Sequence, residues 1–439
     1  MRKHILVYGS EESVPSLRAI AAQLTTKVDT ARNHQEIAKK IKSFNPTLLI
    51  LDVDHEESSP NLLSPSLLQM IRASQKEWIV VSSARDPEAP WEAKKLGALD
   101  YVLKPYNIRE FILRLNAVFQ KKKRIVCLGG GTGLFTLLLG LKKLPNVLLA
   151  SIVSMSDDGG SSGKLRASFG ILPPGDIRRS LVALSNAPEL MNRVIQYRFQ
   201  KGEALQNHSF GNLFLTALAE IKGSMLEAVR ALGDILNIQG IVLPVTTTLT
   251  DLVARFEDGT LVRGESKIDL SEGRNPDLRI TQLWHEPEPE CNPDAHTFLI
   301  YSDLVVIGPG DLFTSVVANL CIPGIRHALS KTRAKKVYLC NLMTKPGETA
   351  HYTAYDHVKE ILKYLGGDYL DYVFLSNTRF SNEAILEYAK KAQAPVLAQG
   401  VKEIQKITKA QVILADLGNE EELVRHDSEK IQNAIRGVS

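Results

Sequence analysis

Cysteine is scarce in this 439-residue sequence, and the four that occur form no Cys-x-x-Cys pair. The spacing therefore supports neither a zinc knuckle nor a dithiol redox motif. Cys127 and Cys340 lie within apolar runs, which predicts buried, reduced thiols.

Long hydrophobic runs and a strong excess of one charge are also missing. No apolar stretch approaches the ~20 residues that a membrane-spanning helix needs. The N-terminus lacks the longer apolar core of a signal peptide. We therefore expect a cytoplasmic protein without a membrane span. The net charge is only +4, with no basic arm, so a nucleic-acid partner is not indicated.

Two alternating patterns of strands and helices fill the chain. In residues 1–122, short apolar runs alternate with stretches at helical spacing, which predicts five strands and five helices around a parallel sheet. The second pattern, in residues 123–439, has strand candidates at 125–128, 148–153, 304–307, 337–340, 372–375 and 411–415.

Residues 244–285 alternate with period two around a Glu257-Asp258-Gly259 turn, which predicts an antiparallel insertion. The join at 120–124 is too short for a flexible tether, so the two domains should touch.

Three segments near the N-terminus carry a family resemblance: Pro46-Thr-Leu-Leu-Ile-Leu-Asp52, Val81-Ser-Ser83-Ala and Gly97-Ala-Leu-Asp-Tyr-Val-Leu-Lys104-Pro105. They resemble the receiver domain of two-component response regulators. The resemblance implies Asp52 as phosphoacceptor, Ser83 and Lys104 as phosphoryl ligands, and a histidine kinase or docking protein as partner.

The sequence departs from that family where an acidic pair should hold Mg²⁺, because Tyr8-Gly9 stands there. Phosphoryl transfer relies on such a cation, which argues against phosphorylation. The alternative is a pseudo-receiver for docking or dimerisation, in which Asp52 and Lys104 form a structural ion pair. The predicted fold class is thus α/β: a flavodoxin-like receiver domain, then a Rossmann-like doubly wound parallel sheet domain with a small antiparallel insertion.

The strand at 125–128 runs into Gly129-Gly130-Gly131-Thr132-Gly133 and then a helical stretch. A glycine turn between a strand and a helix aims backbone N–H groups at an anion. The loop is neither G-x-G-x-x-G nor a Walker loop, and a merely tight turn is the alternative.

The next strand ends near Asp157-Asp158, ahead of a Gly/Ser-rich loop that carries Lys164 and Arg166. Adjacent carboxylates at a strand end could bind ribose hydroxyls or Mg²⁺. Solvated surface acids are the alternative. The two basic side chains would favour a phosphate nearby.

Further polar turns follow other strands or open helices. Asp176 could cap a helix or contact a ligand, and both alternatives stay open. His208 could donate a proton, anchor a ligand or be structural. Gly308-Pro-Gly310 and Asn341 follow two more strands. Several such turns are what a nucleotide cleft in an open α/β sheet requires.

These segments, in order from about 124 to 436, resemble the CofD-like (2-phospho-L-lactate transferase-like) superfamily. The runs beginning at Asn341, and Val424-Arg-His-Asp427, resemble its gluconeogenesis-factor (YvcK-like) branch. Lys345 is a departure, since that branch more often has glutamine.

The resemblance implies a regulator that binds UDP-sugars such as UDP-N-acetylglucosamine and acts in carbon metabolism, cell-wall synthesis and cell shape. Asp157 and Asp158 would hold Mg²⁺ or a ligand hydroxyl, and no tightly bound organic cofactor is implied. The predicted ligand- and phosphate-binding set is Gly129, Gly130, Gly131, Thr132, Gly133, Ser161, Ser162, Lys164, Arg166, His208, Ser209, Asn212, Gly308, Gly310, Thr314 and Asn341.

Two other functions stay open. One is a Mg²⁺-dependent transferase that uses a guanylyl-activated donor, as the superfamily's transferase branch implies. The other is a phosphorylation-driven response regulator. A dehydrogenase is disfavoured because no hydride-transfer constellation is visible. The sequence does not locate an interface for a homo-oligomer.

Overall fold

The computed structural model describes residues 3–54, 63–269, 273–421 and 423–438. Its first part is a five-stranded parallel sheet in the order β2-β1-β3-β4-β5, which is the flavodoxin-like order. The elements are β1 His4–Tyr8, α1 Ser13–Ala22, β2 Lys27–Ala31, α2 His34–Ser43, β3 Leu48–Asp52, α3 Pro65–Ser74, β4 Glu77–Ser82, α4 Glu88–Leu96, β5 Tyr101–Leu103 and α5 Ile108–Phe119.

Alternation along the strands covers both faces of this sheet. Ile5 packs with Leu17 of α1 and Phe111 of α5, whereas Leu6 belongs to the core on the opposite face with Leu67 of α3. Side chains that alternate between two buried faces explain why the strands read as continuous apolar runs.

The second part begins at Lys123. Its strands are β6 Lys123–Gly129, β7 Val147–Val153, β8 Ile241–Pro244, β9 Asp251–Phe256, β10 Leu261–Arg263, β11 Ile280–Glu286, β12 Leu304–Ile307, β13 Lys335–Leu339, β14 Tyr372–Ser376, β15 Gln411–Ala415, β16 Gly418–Asn419 and β17 Arg425–His426. Its helices are α6 Gly131–Leu141, α7 Gly160–Phe169, α8 Gly175–Leu184, α9 Glu189–Gln196, α10 Phe210–Lys222, α11 Met225–Ile235, α12 Glu265–Asp269, α13 Pro293–Ile300, a π-helical turn Leu312–Val317, α14 Ala318–Leu320, α15 Pro323–Lys331, α16 Ala354–Leu365, α17 Asn382–Ala389, α18 Val401–Ile407 and α19 Ser428–Val438.

Seven of these strands form one parallel sheet in the order β15-β14-β13-β12-β6-β7-β8. The Rossmann-like prediction is confirmed, although the sequence patterns had indicated only six strands. The missed strand, β8, is four residues long, and such a short apolar run cannot be distinguished from a piece of buried helix. The strand order reverses between β6 and β12, which is where ligands bind in open α/β sheets.

The predicted insertion is a three-stranded antiparallel sheet in the order β10-β9-β11, and Gly259 turns the β9–β10 hairpin with φ +87. The period-two run at 245–249 is not a strand. It forms a loop instead, in which the hydroxyls of Thr246 and Thr250 donate to the carbonyls of Glu290 and Pro287. These side-chain hydrogen bonds stand in place of the backbone ladder of a strand, which the alternating sequence pattern had predicted.

The two parts are in contact, as the short join implied. Arg230 of α11 is buried between Glu110 of α5, at 3.2 Å, and Asp294 of α13, at 3.0 Å. All four thiols are free, and burial raises the pKa of Cys340 to about 12.

Over the described ranges, no single helix is long and apolar enough to cross a membrane. One bent pair of helices, Leu312–Leu320 with Pro323–Lys331, reaches the length and apolar composition of a membrane span only when the two helices are counted together.

Candidate functional site

The glycine loop crosses the point where the strand order reverses. Gly130 precedes α6, and Gly131 adopts φ +64, which favours glycine. A Cβ on Gly133 would lie 2.4 Å from the carbonyl oxygen of Pro309. Glycine at this position therefore lets α6 approach the loop that follows β12. Gly129 and Gly308 are buried at the ends of their strands, and the Gly308 N–H donates to the carbonyl of Leu128.

A cavity of 330 Å³ opens beside this loop. The predicted residues that line it are Thr132, Gly133, Gly310 and Asn341. The Asn341 amide donates to the Gly310 carbonyl at 2.7 Å, so β12 and β13 are joined at the cavity wall.

Three cationic side chains line the same cavity: Lys345, Lys391 and Arg425. The sequence analysis did not identify Lys391 as a site residue. It stands in a Lys-Lys pair after α17, and such a pair is typical of a solvated surface. Arg425 lies in the 424–427 run that carried the family resemblance, but spacing alone gave it no role. Only the fold brings these residues to the glycine loop.

A larger cavity of 640 Å³ lies beyond Thr344, which lines both spaces. The bridge between Met343 and Pro395 lies alongside it. Its lining includes Tyr352 and Tyr355 but no residue of the glycine loop.

Asp176 occupies the first backbone donor of the glycine loop. Its carboxylate accepts the Gly131 N–H at 2.8 Å. The helix-cap alternative is wrong, because Pro174 is the N-cap of α8 and Asp176 instead reaches across to α6. Its role as a ligand contact stays a prediction. Burial and the neighbouring carboxylate of Asp157 raise the pKa of Asp176 to about 6.

Glu348 similarly occupies the start of the π-helical turn. Its carboxylate accepts the N–H groups of Phe313 and Thr314 at 3.0 and 3.3 Å, and the Thr314 hydroxyl donates to it at 2.9 Å. The buried Glu348 thus holds the hydroxyl that the sequence predicted to face a ligand. Burial raises the pKa of Glu348, although Lys345 opposes the shift.

Lys345 is surrounded by three carboxylates, those of Asp269, Asp311 and Glu348. Its ammonium lies 2.6 Å from Asp311 and 3.5 Å from Glu348, and it also pairs with Asp269. Burial would lower the pKa of Lys345, but the carboxylates outweigh that effect and raise it. The oxygens of these acids lie within 4.8 Å of one another, as a metal site requires. The Lys345 ammonium already occupies the position between these oxygens, so the arrangement as it stands does not fit a divalent cation.

The two carboxylates of the predicted pair Asp157-Asp158 accept hydrogen bonds from different segments. Asp158 accepts the Ser266 N–H of α12 at 2.7 Å, which ties the insertion to the loop after β7. Asp157 accepts the Gly159 N–H at 3.1 Å. Their role as Mg²⁺ ligands stays a prediction.

Ser161, Ser162, His208, Ser209 and Asn212 are brought together between α7 and α10. The Ser161 hydroxyl lies 3.2 Å from His208 Nδ1, and it accepts the Ser209 N–H at 3.3 Å and the Asn212 amide at 3.2 Å. The same amide reaches Ser162 at 3.4 Å.

The two basic residues of α7 separate. Arg166 donates to the Thr250 carbonyl at 2.8 Å and pairs with Asp251 at 2.6 Å, so its guanidinium ties α7 to the start of β9. Lys164 is exposed. Phosphate contacts by either side chain stay predictions.

Glu265, the first residue of α12, is a site residue that the sequence analysis missed. Burial and the carboxylates of Asp157, Asp269 and Glu348 raise the pKa of Glu265 to about 9. The only signal in the sequence was its place in the insertion, where contacts could not be assigned.

The fold agrees with comparisons to known proteins. The family model described as 2-phospho-L-lactate transferase CofD matches residues 125–417. This chain belongs to the CofD family.

Relatives of this chain include gluconeogenesis factors. The gluconeogenesis factor of Bacillus subtilis is 39% identical over 318 residues, covering 72% of this chain and 98% of that protein. The gluconeogenesis factor of Listeria monocytogenes is 38% identical over 318 residues, covering 72% and 95%. The crystal structure of a UPF0052-family protein from Bacillus halodurans has a TM-score of 0.68 at 37% identity, covering 72% of this chain and 99% of that one.

The CofD-family match begins within β6, so the five-stranded sheet lies outside it. At the carboxyl edge of that sheet, Lys104 donates to Asp52 at 2.7 Å and to Asp54 at 2.9 Å. Burial would lower the pKa of Lys104, but these bonds raise it. Ser83 is exposed and its N–H donates to Asp54 at 2.8 Å.

Glu11 and Glu12 are the acids nearest the position of the missing Mg²⁺ pair, and both are exposed. Glu11 is exposed and pairs with Arg32 at 2.8 Å. A cavity of 530 Å³ lies close to the Asp52 site and runs between the two parts of the chain, from Ala84 and Leu103 to His296.

Proposed function

We propose that this CofD-family protein is a gluconeogenesis factor that binds a UDP-sugar of the UDP-N-acetylglucosamine type in the cytoplasm. It would regulate carbon metabolism, cell-wall synthesis and cell shape. The observation that carries the proposal is the cavity where the glycine loop meets Lys345, Lys391 and Arg425. Lys391 and Arg425 beside backbone donors suit a diphosphate, whereas Lys345 is already paired with three carboxylates. The names of the B. subtilis and L. monocytogenes relatives support the metabolic role.

Within this proposal the diphosphate lies against the glycine loop, Thr132, Lys391 and Arg425. The serine and histidine group around Ser161 and His208 completes the cleft on the side of β7. Mg²⁺ at Asp157 and Asp158 is proposed as optional, because Lys391 and Arg425 already supply positive charge beside the cavity.

A thermal-shift titration with UDP-N-acetylglucosamine, UDP, GTP and GDP, each with and without Mg²⁺, tests the proposal. A ligand at a hundred times its dissociation constant stabilises the fold by ~2.7 kcal/mol. We expect a shift with the UDP ligands that is lost in Lys391→Ala. The control is Lys390→Ala, whose side chain is exposed and pairs only with Glu387 among the residues that the structure describes. Equal shifts in both variants would contradict the assignment.

The second candidate is a Mg²⁺-dependent transferase that uses a guanylyl-activated donor. The family model's description and the carboxylates Asp157 and Asp158 favour it. A Mg²⁺-dependent shift with guanine nucleotides alone, followed by product from a guanylyl donor, would establish this candidate instead.

For the remainder of the chain we propose a receiver-like domain at 1–122 and a ligand-binding domain at 123–439. The first would dock a partner or a second copy of the chain rather than accept phosphate. The ion pairs of Lys104 with Asp52 and Asp54 support this view. Incubation with acetyl phosphate and Mg²⁺ tests it, and stable labelling of Asp52 would establish the phosphorylation-driven alternative.

A further inference from the structure

The 640 Å³ cavity adjoins the 330 Å³ cavity along a pair of hydrogen-bonded segments. The Thr344 N–H donates to the Ala394 carbonyl at 2.8 Å, and the Ala394 N–H donates to the Thr344 hydroxyl at 2.9 Å. The Val396 N–H donates to the Leu342 carbonyl at 2.8 Å. Thr344 lines both cavities, so they lie next to each other at this residue.

The lining of the larger cavity differs in chemistry from that of the smaller one. Its apolar and aromatic residues include Tyr352, Tyr355, Ala394, Pro395, Leu397 and Ile407. Its charged residues Glu403 and Lys406 are exposed and of opposite sign. The cations that suit a diphosphate, Lys391 and Arg425, line the smaller cavity instead. The larger cavity therefore favours a ligand group that buries apolar surface.

Tyr355 offers such a group an aromatic ring. It is the second residue of α16, whose first turn is fixed by a capping box, and its half-buried side chain packs against the core. Within the part of the chain that the structure describes, Tyr355 makes no hydrogen bond and no ring contact. Tyr352 is already engaged, because Phe313 meets its ring edge-on at 6.2 Å and the Arg279 guanidinium lies over it at 4.9 Å. Of the two tyrosines, Tyr355 is the one left for a ligand.

The two ends of a nucleotide sugar need different surroundings. A nucleobase has flat faces that stack on aromatic rings. A sugar presents hydroxyls, which need hydrogen-bond donors and acceptors. Polar side chains of that kind, those of Ser161, His208 and Asn212, lie on the β7 side of the glycine loop. The larger cavity lies on the opposite side, at the loop after β13, because β13 and β7 flank β12 and β6 in the sheet.

We propose that the 640 Å³ cavity is the nucleobase subsite for the nucleotide sugar, with the base stacked on Tyr355, an inference that rests on the proposed function. The ligand then crosses the carboxyl edge of the sheet. Its base lies beyond β13, its diphosphate lies at the glycine loop, and its sugar lies on the β7 side. Tyr355 contributes to the binding of ligands that carry the base and not to the binding of ligands that lack it.

Calorimetric titration of the full chain with inorganic pyrophosphate, UDP and UDP-N-acetylglucosamine tests the inference. Tyr355→Ala should weaken binding of UDP and of UDP-N-acetylglucosamine by the same factor, roughly tenfold, as loss of one base–aromatic stack does. Its affinity for pyrophosphate should equal that of wild type. Tyr355→Phe keeps the ring, so it should bind each ligand within about twofold of wild type.

Two further variants separate the subsite from its surroundings. Tyr369→Ala removes an exposed tyrosine in the loop after α16 that lines neither cavity, so it should bind every ligand as wild type does. Lys391→Ala should weaken all the ligands, pyrophosphate included, because Lys391 lines the phosphate side. A melting temperature for each variant separates loss of binding from loss of fold.

Four outcomes would overturn the inference and leave the proposed function standing. Tyr355→Ala could bind UDP as tightly as wild type. A loss confined to UDP-N-acetylglucosamine would assign the cavity to the sugar, and an equal loss of pyrophosphate would assign the effect to the phosphate side. The same loss in Tyr369→Ala would show that the effect is not specific to Tyr355. Wild-type protein that binds neither UDP nor UDP-N-acetylglucosamine would instead refute the proposed function, and the inference with it.

Discussion

Asp176 shows how one buried carboxylate can shape a cleft. The glycine loop predicted an anion site from the sequence. In the structure a carboxylate oxygen of Asp176, from the chain itself, already accepts the Gly131 N–H of that loop. Glu348 takes the equivalent place at the π-helical turn after β12. Both carboxylates sit where a phosphate oxygen would otherwise be favoured by the helix ends.

Asp176→Asn should change how stability depends on pH. The pKa of Asp176 is raised from 3.8 to about 6, so the folded chain binds this proton more tightly than the unfolded chain does. Stability from this group is therefore present below pH ~4 and lost as pH rises through 6. We expect Asp176→Asn to be up to ~3 kcal/mol more stable than wild type at pH 8, and no more stable near pH 4. Urea unfolding at both pH values measures this, and a difference independent of pH would contradict it.

Lys345→Gln should remove the cation that pairs with three neighbouring carboxylates. Asp269, Asp311 and Glu348 would face one another without a counter-charge, so we expect the variant to lose roughly 3 kcal/mol of stability. Added Mg²⁺ should restore part of that loss, since three carboxylate oxygens then lack a cation. Urea unfolding with and without Mg²⁺ measures both effects.

The matched control for that experiment is Lys143→Gln, which removes an exposed pair with Glu429. It should cost less than 1 kcal/mol and show no Mg²⁺ response. A Lys345→Gln variant as stable as wild type would mean that the three acids are protonated or already solvated.

At the scale of elements, the contact between α6 and the loop after β12 leaves no room for a side chain at Gly133. Gly133→Ala would place a Cβ 2.4 Å from the Pro309 oxygen and 2.6 Å from its carbonyl carbon. Because backbone cannot yield as a flexible side chain does, we expect a loss of about 2 kcal/mol or more in urea unfolding. It should also reduce the thermal shift with UDP ligands.

Gly437→Ala in α19 is the control for the glycine substitution. Nothing lies within 4 Å of a Cβ there, so alanine should be neutral or stabilising by up to ~1 kcal/mol. Equal losses in the two variants would show that the α6 contact is not the cause.

Elements with strong local patterns were predictable and those held by distant contacts were not. All five strands of the first sheet and six of the seven in the second were indicated by their apolar runs. The 245–249 run was wrong as a strand because its threonine hydroxyls bond to carbonyls some 40 residues away. An alternating apolar and polar pattern indicates which side chains are buried, but it does not indicate which groups form hydrogen bonds with the backbone.

At the scale of the whole molecule, Arg230 links the two parts. Arg230→Ala would leave Glu110 and Asp294 without their shared cation, and uncompensated acids of this kind cost about 3–5 kcal/mol. We expect that loss in urea unfolding.

Glu227→Ala is the matched control, because Glu227 bonds the same guanidinium at 2.6 Å from an exposed position. It should cost less than 1 kcal/mol. If both variants lost the same small amount, the contact between the two parts would not depend on this buried cluster.

Sequence by itself determined the α/β class, the flavodoxin-like and Rossmann-like sheets, the glycine loop and the family, because each depends on short-range periodicity or a contiguous motif. Only the tertiary structure decided which side chains share the cleft. Lys391 and Arg425 reach the glycine loop from more than 250 residues away, and Glu265 reaches Asp157 through the insertion. Local sequence patterns do not indicate which distant residues come into contact. The charged side chains of the cleft are brought together only when the carboxyl ends of the strands meet at one edge of the sheet.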